Sequence, residues 1–224
     1  MKTSSLIYSL LAIGFLLILT NGCKKDDDKS TVTDIDGNVY HTVKIGTQTW
    51  MVENLKVTRY RNGDAIPTVT NGTEWSNLTT GAYCDYENAA SNSTIYGKLY
   101  NWYAVADSRN IAPPGWHVAS DAEWTTLITF LGGKDVAGGM LKEEGTAHWP
   151  SPNAGATNET GFSALPGGYY YGGSFGNLGS IGTWWSSTAN SSNAWDRVMH
   201  YSNGEVYRYG FNQSNGFSVR CVRD

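Results

Sequence analysis

Glycine and asparagine interrupt the main part of this chain so often that no helix or strand has room to run far before a turn residue ends it. Twenty-six glycines fall among 224 residues. The segments between them favour Ser, Thr, Tyr and Trp over the Ala, Leu, Glu and Lys that sustain long helices. This pattern predicts an α+β domain with two main helices, many short antiparallel strands and long loops.

The individual elements follow from spacing. Asp36-Gly37-Asn38 separates two alternating segments, residues 32–34 and 39–45, which is a hairpin signal, and 48–52 supplies a third strand. Residues 58–95 are polar and turn-rich, with 83–86 a compact strand candidate. Leu99, Trp102, Tyr103 and Ala106 recur at intervals of three and four, which predicts an amphipathic helix over 98–106. Pro113-Pro114-Gly115 breaks the chain before a short extended segment at 116–118. Ser120-Asp121-Ala122-Glu123 then reads as a capping box, opening a helix that buries Trp124, Leu127, Ile128 and Leu131 and stops at Gly132-Gly133. A brief helical turn is expected at 136–142. Beyond Trp149 the pattern is loops and strands, with strands expected at 183–187, 194–201, 205–209 and 216–223.

The first thirty residues follow a different logic. Residues 6–19 are almost wholly apolar, fourteen positions that fall short of the roughly 20 a spanning helix needs. They lead through Asn21-Gly22 to Cys23 and at once into Lys24-Lys25-Asp26-Asp27-Asp28-Lys29, the layout of an export signal. Residues 1–22 are expected to be removed, 23–30 to form a flexible tether, and 31–224 to fold. Gly22 before Cys23, with Leu19 upstream, resembles a bacterial lipobox, which implies lipidation of Cys23 and a membrane anchor without a spanning helix. The charged run resembles the tether that places Bacteroidetes lipoproteins on the outer face of the outer membrane. As a charge block it is also a solvated spacer.

Without residues 1–22 the chain carries a net charge of about −5 and no cluster of Lys and Arg, which disfavours a nucleic-acid partner. The nine Trp and fourteen Tyr exceed what a small core needs, so some are expected at the surface, where flat rings stack on sugars or anchor a protein partner. Cys84 and Cys221 are the remaining cysteines. They either pair, closing a long loop worth about 5 kcal/mol on the chain-entropy model, or stay as two buried thiols.

Several motifs together resemble the Fibrobacter succinogenes major paralogous domain family. They are Tyr96-Gly97-Lys98-Leu99-Tyr100-Asn101-Trp102-Tyr103, Pro113-Pro114-Gly115-Trp116-His117-Val118 with Asp121-Ala122-Glu123-Trp124, Gly161-Phe162-Ser163-Ala164-Leu165-Pro166-Gly167-Gly168, Trp184-Trp185-Ser186-Ser187, and the terminus from Gly216. The family consists mostly of secreted or lipid-anchored proteins without an established molecular function, so it implies no catalytic residues. More distantly, Gly115-Trp116-His117-Val118, Asp121-Ala122-Glu123-Trp124 and Gly216-Phe217-Ser218-Val219-Arg220 are similar to the formylglycine-generating enzymes, which implies a C-type-lectin-like, sulfatase-modifying-factor-like core. Those enzymes use a closely spaced cysteine pair near the C-terminus, where this chain has Cys221 alone. The calcium-lectin signatures are met only by the fragments Pro152-Asn153 and Trp195-Asp196.

Four constellations remain as candidates for chemistry. Gly172-Gly173-Ser174-Phe175-Gly176 matches a nucleophile-elbow pattern, but its glycine-rich surroundings read as a loop. His41, His117, His148 and His200 lack zinc-site spacing and read as surface or core residues. Asn153, Asn158 and Glu159 offer oxygens to Ca²⁺, against the ordinary reading of Asn as a turn former. Trp184, Trp185 and Trp195 with Tyr169, Tyr170 and Tyr171 form a candidate aromatic shelf for a glycan, although most of the six would also serve as core. Strand alternation lets only one of Trp184 and Trp185 face the core. The reading this supports is a surface-displayed binding or adhesion module for a glycan or protein. The alternatives are an enzyme related to the formylglycine-generating group and a structural subunit of a surface assembly.

Overall fold

The computed structural model describes residues 30–224. The expected export signal, the expected acylation site at Cys23 and the charged run to Lys29 lie outside the described residues.

Twelve strands and five α-helices follow along the described chain. Strands β1 (Thr31–Thr33), β2 (Val39–Ile45) and β3 (Gln48–Met51) form an antiparallel meander. The first turn is held by Asp34, whose carboxylate accepts the amides of Asp36 and Asn38 at 2.9 Å and the Tyr40 hydroxyl at 2.6 Å. Two short helices, α1 (Gly72–Ser76) and α2 (Ala90–Tyr96), fall in the stretch that reads as loop, with β4 (Tyr83–Cys84) between them. They are too short for a hydrophobic period, and α1 depends on its cap, Asn71 accepting the Glu74 amide.

The helix expected at 98–106 is corrected. The chain forms β5 (Leu99–Tyr100) and then one short helix, α3 (Trp102–Val105). Leu99 and Tyr100 pair with β4 on one side, and Tyr100 exchanges two backbone bonds with Phe217 on the other. Asn101 ends the strand and starts the helix by accepting the Ala82 and Ala104 amides on one side-chain oxygen.

Strand β6 (Trp116–Val118) precedes α4 (Asp121–Phe130) and α5 (Lys134–Leu141). The capping box at Ser120 and Glu123 is present in both directions. The last third holds the hairpin β7 (Tyr169–Tyr171) and β8 (Ser174–Gly176), then β9 (Ile181–Asn190), β10 (Asn193–His200), β11 (Tyr207–Asn212) and β12 (Cys221–Arg223). Strand β12 enters the first sheet between β3 and β6, in the order β1-β2-β3-β12-β6. Only the end of the expected 216–223 strand is regular. Its beginning bridges Gly216 to Tyr170, Phe217 to Tyr100 and Ser218 to Trp184, stitching separate sheets together. The result is a mixed α+β domain of small antiparallel sheets.

Strand β9 divides the interior. Trp184 packs with Trp50, Trp124 and Phe162 on one side, and Trp185 with Tyr100, Phe217 and Cys221 on the other. Both tryptophans are fully buried, which corrects the expectation that only one of them faces the core. Alternation holds, but each face of this strand meets its own core. The expected disulfide is likewise corrected: Cys84 and Cys221 are free, buried thiols in separate clusters, Cys84 beside Trp75 and Tyr170.

Candidate functional site

The three-stranded sheet β9-β10-β11 has one face covered, and its other face, packed on the core at Trp185, opens toward β11. Helix α4 covers the first. The buried Arg197 guanidinium donates from β10 to the Asp121 carboxylate at 2.9 Å and to the Thr125 hydroxyl at 3.2 Å. Arg208, its neighbour in register on β11, also pairs with Asp121 and lies 3.3 Å from the Trp195 ring centre.

The opposite face is aromatic because β11 alternates Tyr207, Arg208, Tyr209, Gly210 and Phe211, which places the three rings on one side. Tyr207 and Tyr209 stack at 5.9 Å, and Tyr209 meets Phe211 edge-on at 6.1 Å. The β7–β8 hairpin adds a second wall by the same period. Tyr170 turns inward onto Trp75 and Phe175, so Tyr169 and Tyr171 turn outward, and Tyr171 meets Phe211 at 6.1 Å. Between the walls lies a groove of about 320 Å³, lined also by Thr183, Val198, His200 and Phe217. Burial, aided by the Lys142 ammonium, holds the His200 imidazole below its ordinary range, so it is neutral at neutral pH.

One ionisable group underlies this face. Asp196 is completely buried and stands opposite both Trp185 and Tyr209. Burial pushes its carboxyl up to about 7, against the opposing pull of the Arg197 charge and of the Tyr209 and Asp196 amides.

The expected shelf is therefore rebuilt. Of its six members only Tyr169 and Tyr171 reach the groove. Trp184, Trp185 and Tyr170 are core, and Trp195 lies under Arg208 on the other face. Tyr209 and Phe211 were missed, although their alternation with Arg208 and Gly210 was a legible signal.

The remaining candidates are placed elsewhere. Asn158 accepts the Ser163 amide at 2.9 Å, Asn153 donates to the Glu143 and Gly145 carbonyls, and Glu159 is exposed, so the amide side chains stabilise turns. Gly172-Gly173 is the turn of the β7–β8 hairpin, and Ser174 sits in a strand with no helix after it. His41, His117 and His148 each bond to a carboxylate. Among the described residues no group of three His, Cys, Asp or Glu side chains converges as a metal site, and no helix is long and apolar enough to cross a membrane. Cys221 is free but sealed in the core, where burial pushes its thiol up to about 12, and it does not border the groove.

The fold and the groove define a class, an α+β domain of small sheets that presents an open aromatic face. The chain matches the Fibrobacter succinogenes major domain over residues 43–223 and belongs to that family. No curated protein and no solved structure matches it.

Proposed function

We propose that residues 31–224 form a binding module displayed at the bacterial outer-membrane surface, lipid-anchored through Cys23, with the aromatic groove as its glycan-binding site. The observation that carries this reading is exposure. Tyr171 and Tyr209 keep 54% and 44% of their surface in water while lining a concave site with Tyr169 and Phe211. Aromatic side chains gain most by burial, and rings left open around a cavity are ready to stack on another surface. Pyranose rings offer such a surface, and the tyrosine hydroxyls offer hydrogen bonds at its edge. A C-type-lectin-like core belongs to the same proposal, supported by the C-terminal strand β12 lying between β3 and β6.

Glycan-array screening of the purified protein, repeated with the Tyr171→Ala/Tyr209→Ala double variant, tests the reading. The expected result is binding to a defined glycan set that the double variant loses. A folded protein that binds nothing across broad panels, or a double variant that binds unchanged, rejects it.

A further inference from the structure

Among the described residues, several buried polar atoms lack a hydrogen-bond partner, and Asp196 is the carboxyl group among them. Cross-strand neighbours share a face of a sheet, so its register with Trp185 and Tyr209 puts its carboxyl group on the groove side. Around it the rings follow one another in contact: Trp185 to Phe217 at 4.2 Å, Phe217 to Phe211 at 5.6 Å, and Phe211 to Tyr209 at 6.1 Å. The Tyr209 and Asp196 amides lie near it, but among the described residues no donor reaches hydrogen-bonding geometry with either carboxyl oxygen. The adjacent cation, Arg197, projects from the other face of β10 and is engaged by Asp121. An unpaired buried carboxyl is costly, and native interiors rarely keep one without a use.

We propose that the groove binds an organic cation, a protonated amine or alkylammonium group, which enters beside Tyr209 and pairs with the carboxylate of Asp196. This rests on the groove being the ligand site and names the charge its ligand carries. Ring faces are negative and attract cations, most strongly where water is excluded. The groove supplies such faces from Tyr209, Phe211 and Phe217, and no Lys or Arg lines it to repel a positive charge. A neutral sugar would stack but leave Asp196 unpaired, and an anion would meet a carboxylate. An amino sugar satisfies both the rings and the acid. Asp196 lies beneath the groove and not in its lining, so the proposed cation reaches it only where Tyr209, nearly half exposed, swings aside.

Calorimetric titration of the full-length protein with glucosamine oligosaccharides, their N-acetylated counterparts and tetramethylammonium tests the inference. The free-amine oligomer is expected to bind at least about tenfold tighter than the acetylated one, one ion-pair's worth of preference. Tetramethylammonium should compete with it, and Asp196→Asn should abolish the preference. Equal affinity for both oligomers, lost in Tyr171→Ala/Tyr209→Ala, overturns the cation while keeping the glycan site. Binding of tetramethylammonium alone keeps the cation and overturns the glycan reading. A preference that survives Asp196→Asn overturns the assignment to this acid, and no binding of any probe overturns both. The wild-type arms decide the matter even if the variant does not fold.

Discussion

The ammonium of Lys142 donates to the carbonyl oxygen of Asn203 at 2.8 Å, with Lys142 wholly buried at the end of α5. It also donates to the Ala154 and His200 carbonyls at 3.0 Å, so the 154 loop, the end of β10 and the turn after it are tied to one cation without an acid. Replacing it by the similarly shaped Lys142→Met leaves three acceptors unsatisfied. The expected loss is about 3 kcal/mol, read as a lower urea midpoint with an unchanged slope. An unchanged midpoint would show that the loops hold themselves.

Asp196 predicts a stability that depends on pH. Its folded value of about 7 lies above the ordinary carboxyl value of about 3.9. Between those limits the folded protein holds a proton that the unfolded chain has released. This group's contribution to stability therefore falls as pH rises from about 4 to 7 and is level above that. Asp196→Asn removes the dependence. The variant should match wild type near pH 4 and exceed it by about 4 kcal/mol at pH 8. Melting curves across that range check it, and a gap that does not widen with pH contradicts the burial of an unpaired acid.

His117 predicts a slope of the same sign, carried by a charged group rather than a neutral one. Burial acts to lower its pKa, but bonds to Asp224 at 2.6 Å and Glu123 at 2.7 Å outweigh this and raise it. The imidazolium thus stabilises the fold fully below the unfolded value of about 6.5 and loses that effect as pH rises through the folded value. The ring is over a third exposed and water screens it, so His117→Gln should cost only about 0.5 kcal/mol at pH 5.5. The cost should vanish by pH 9. Equal melting shifts at both pH values would mean the ring matters for packing alone.

These residues also mark where sequence stops being readable. Strand β2 and the Ser120–Glu123 box are local patterns, and both appear where the periodicity puts them. Trp184 and Trp185 were misjudged because alternation assigns one face to water, whereas β9 runs between two cores. Lys142, Arg220 and Asp196 look like surface charges in the sequence. Burial of the two cations depends on acceptors far along the chain, such as the Met51 and Phe162 carbonyls that receive Arg220, and Asp196 is buried opposite Trp185 and Tyr209 on neighbouring strands. Half the groove was visible as Tyr169 and Tyr171. That Tyr209 and Phe211 face them depends on how the β7–β8 hairpin docks, which no local spacing encodes.

Gly138 and Gly139 lie in the middle of α5, where alanine would normally favour the helix by about 1 kcal/mol each. Their presence reflects close approach of backbone. A methyl group on Gly138 would overlap the Glu205 carbonyl oxygen, and one on Gly139 that of Gly155. The same contact lets the Gly139 amide donate to the Gly204 carbonyl at 3.1 Å, and Thr157 return a bond to Gly139 at 2.9 Å. Gly138→Ala should therefore destabilise the protein by about 2 kcal/mol despite its better helix propensity, because a backbone carbonyl must move rather than a flexible side chain. That displacement also slackens the loop carrying Asn203, so combining Gly138→Ala with Lys142→Met should cost less than the two apart. Chemical denaturation of the single and double variants measures this, and simple additivity would show that α5 and the 203–205 loop are held independently.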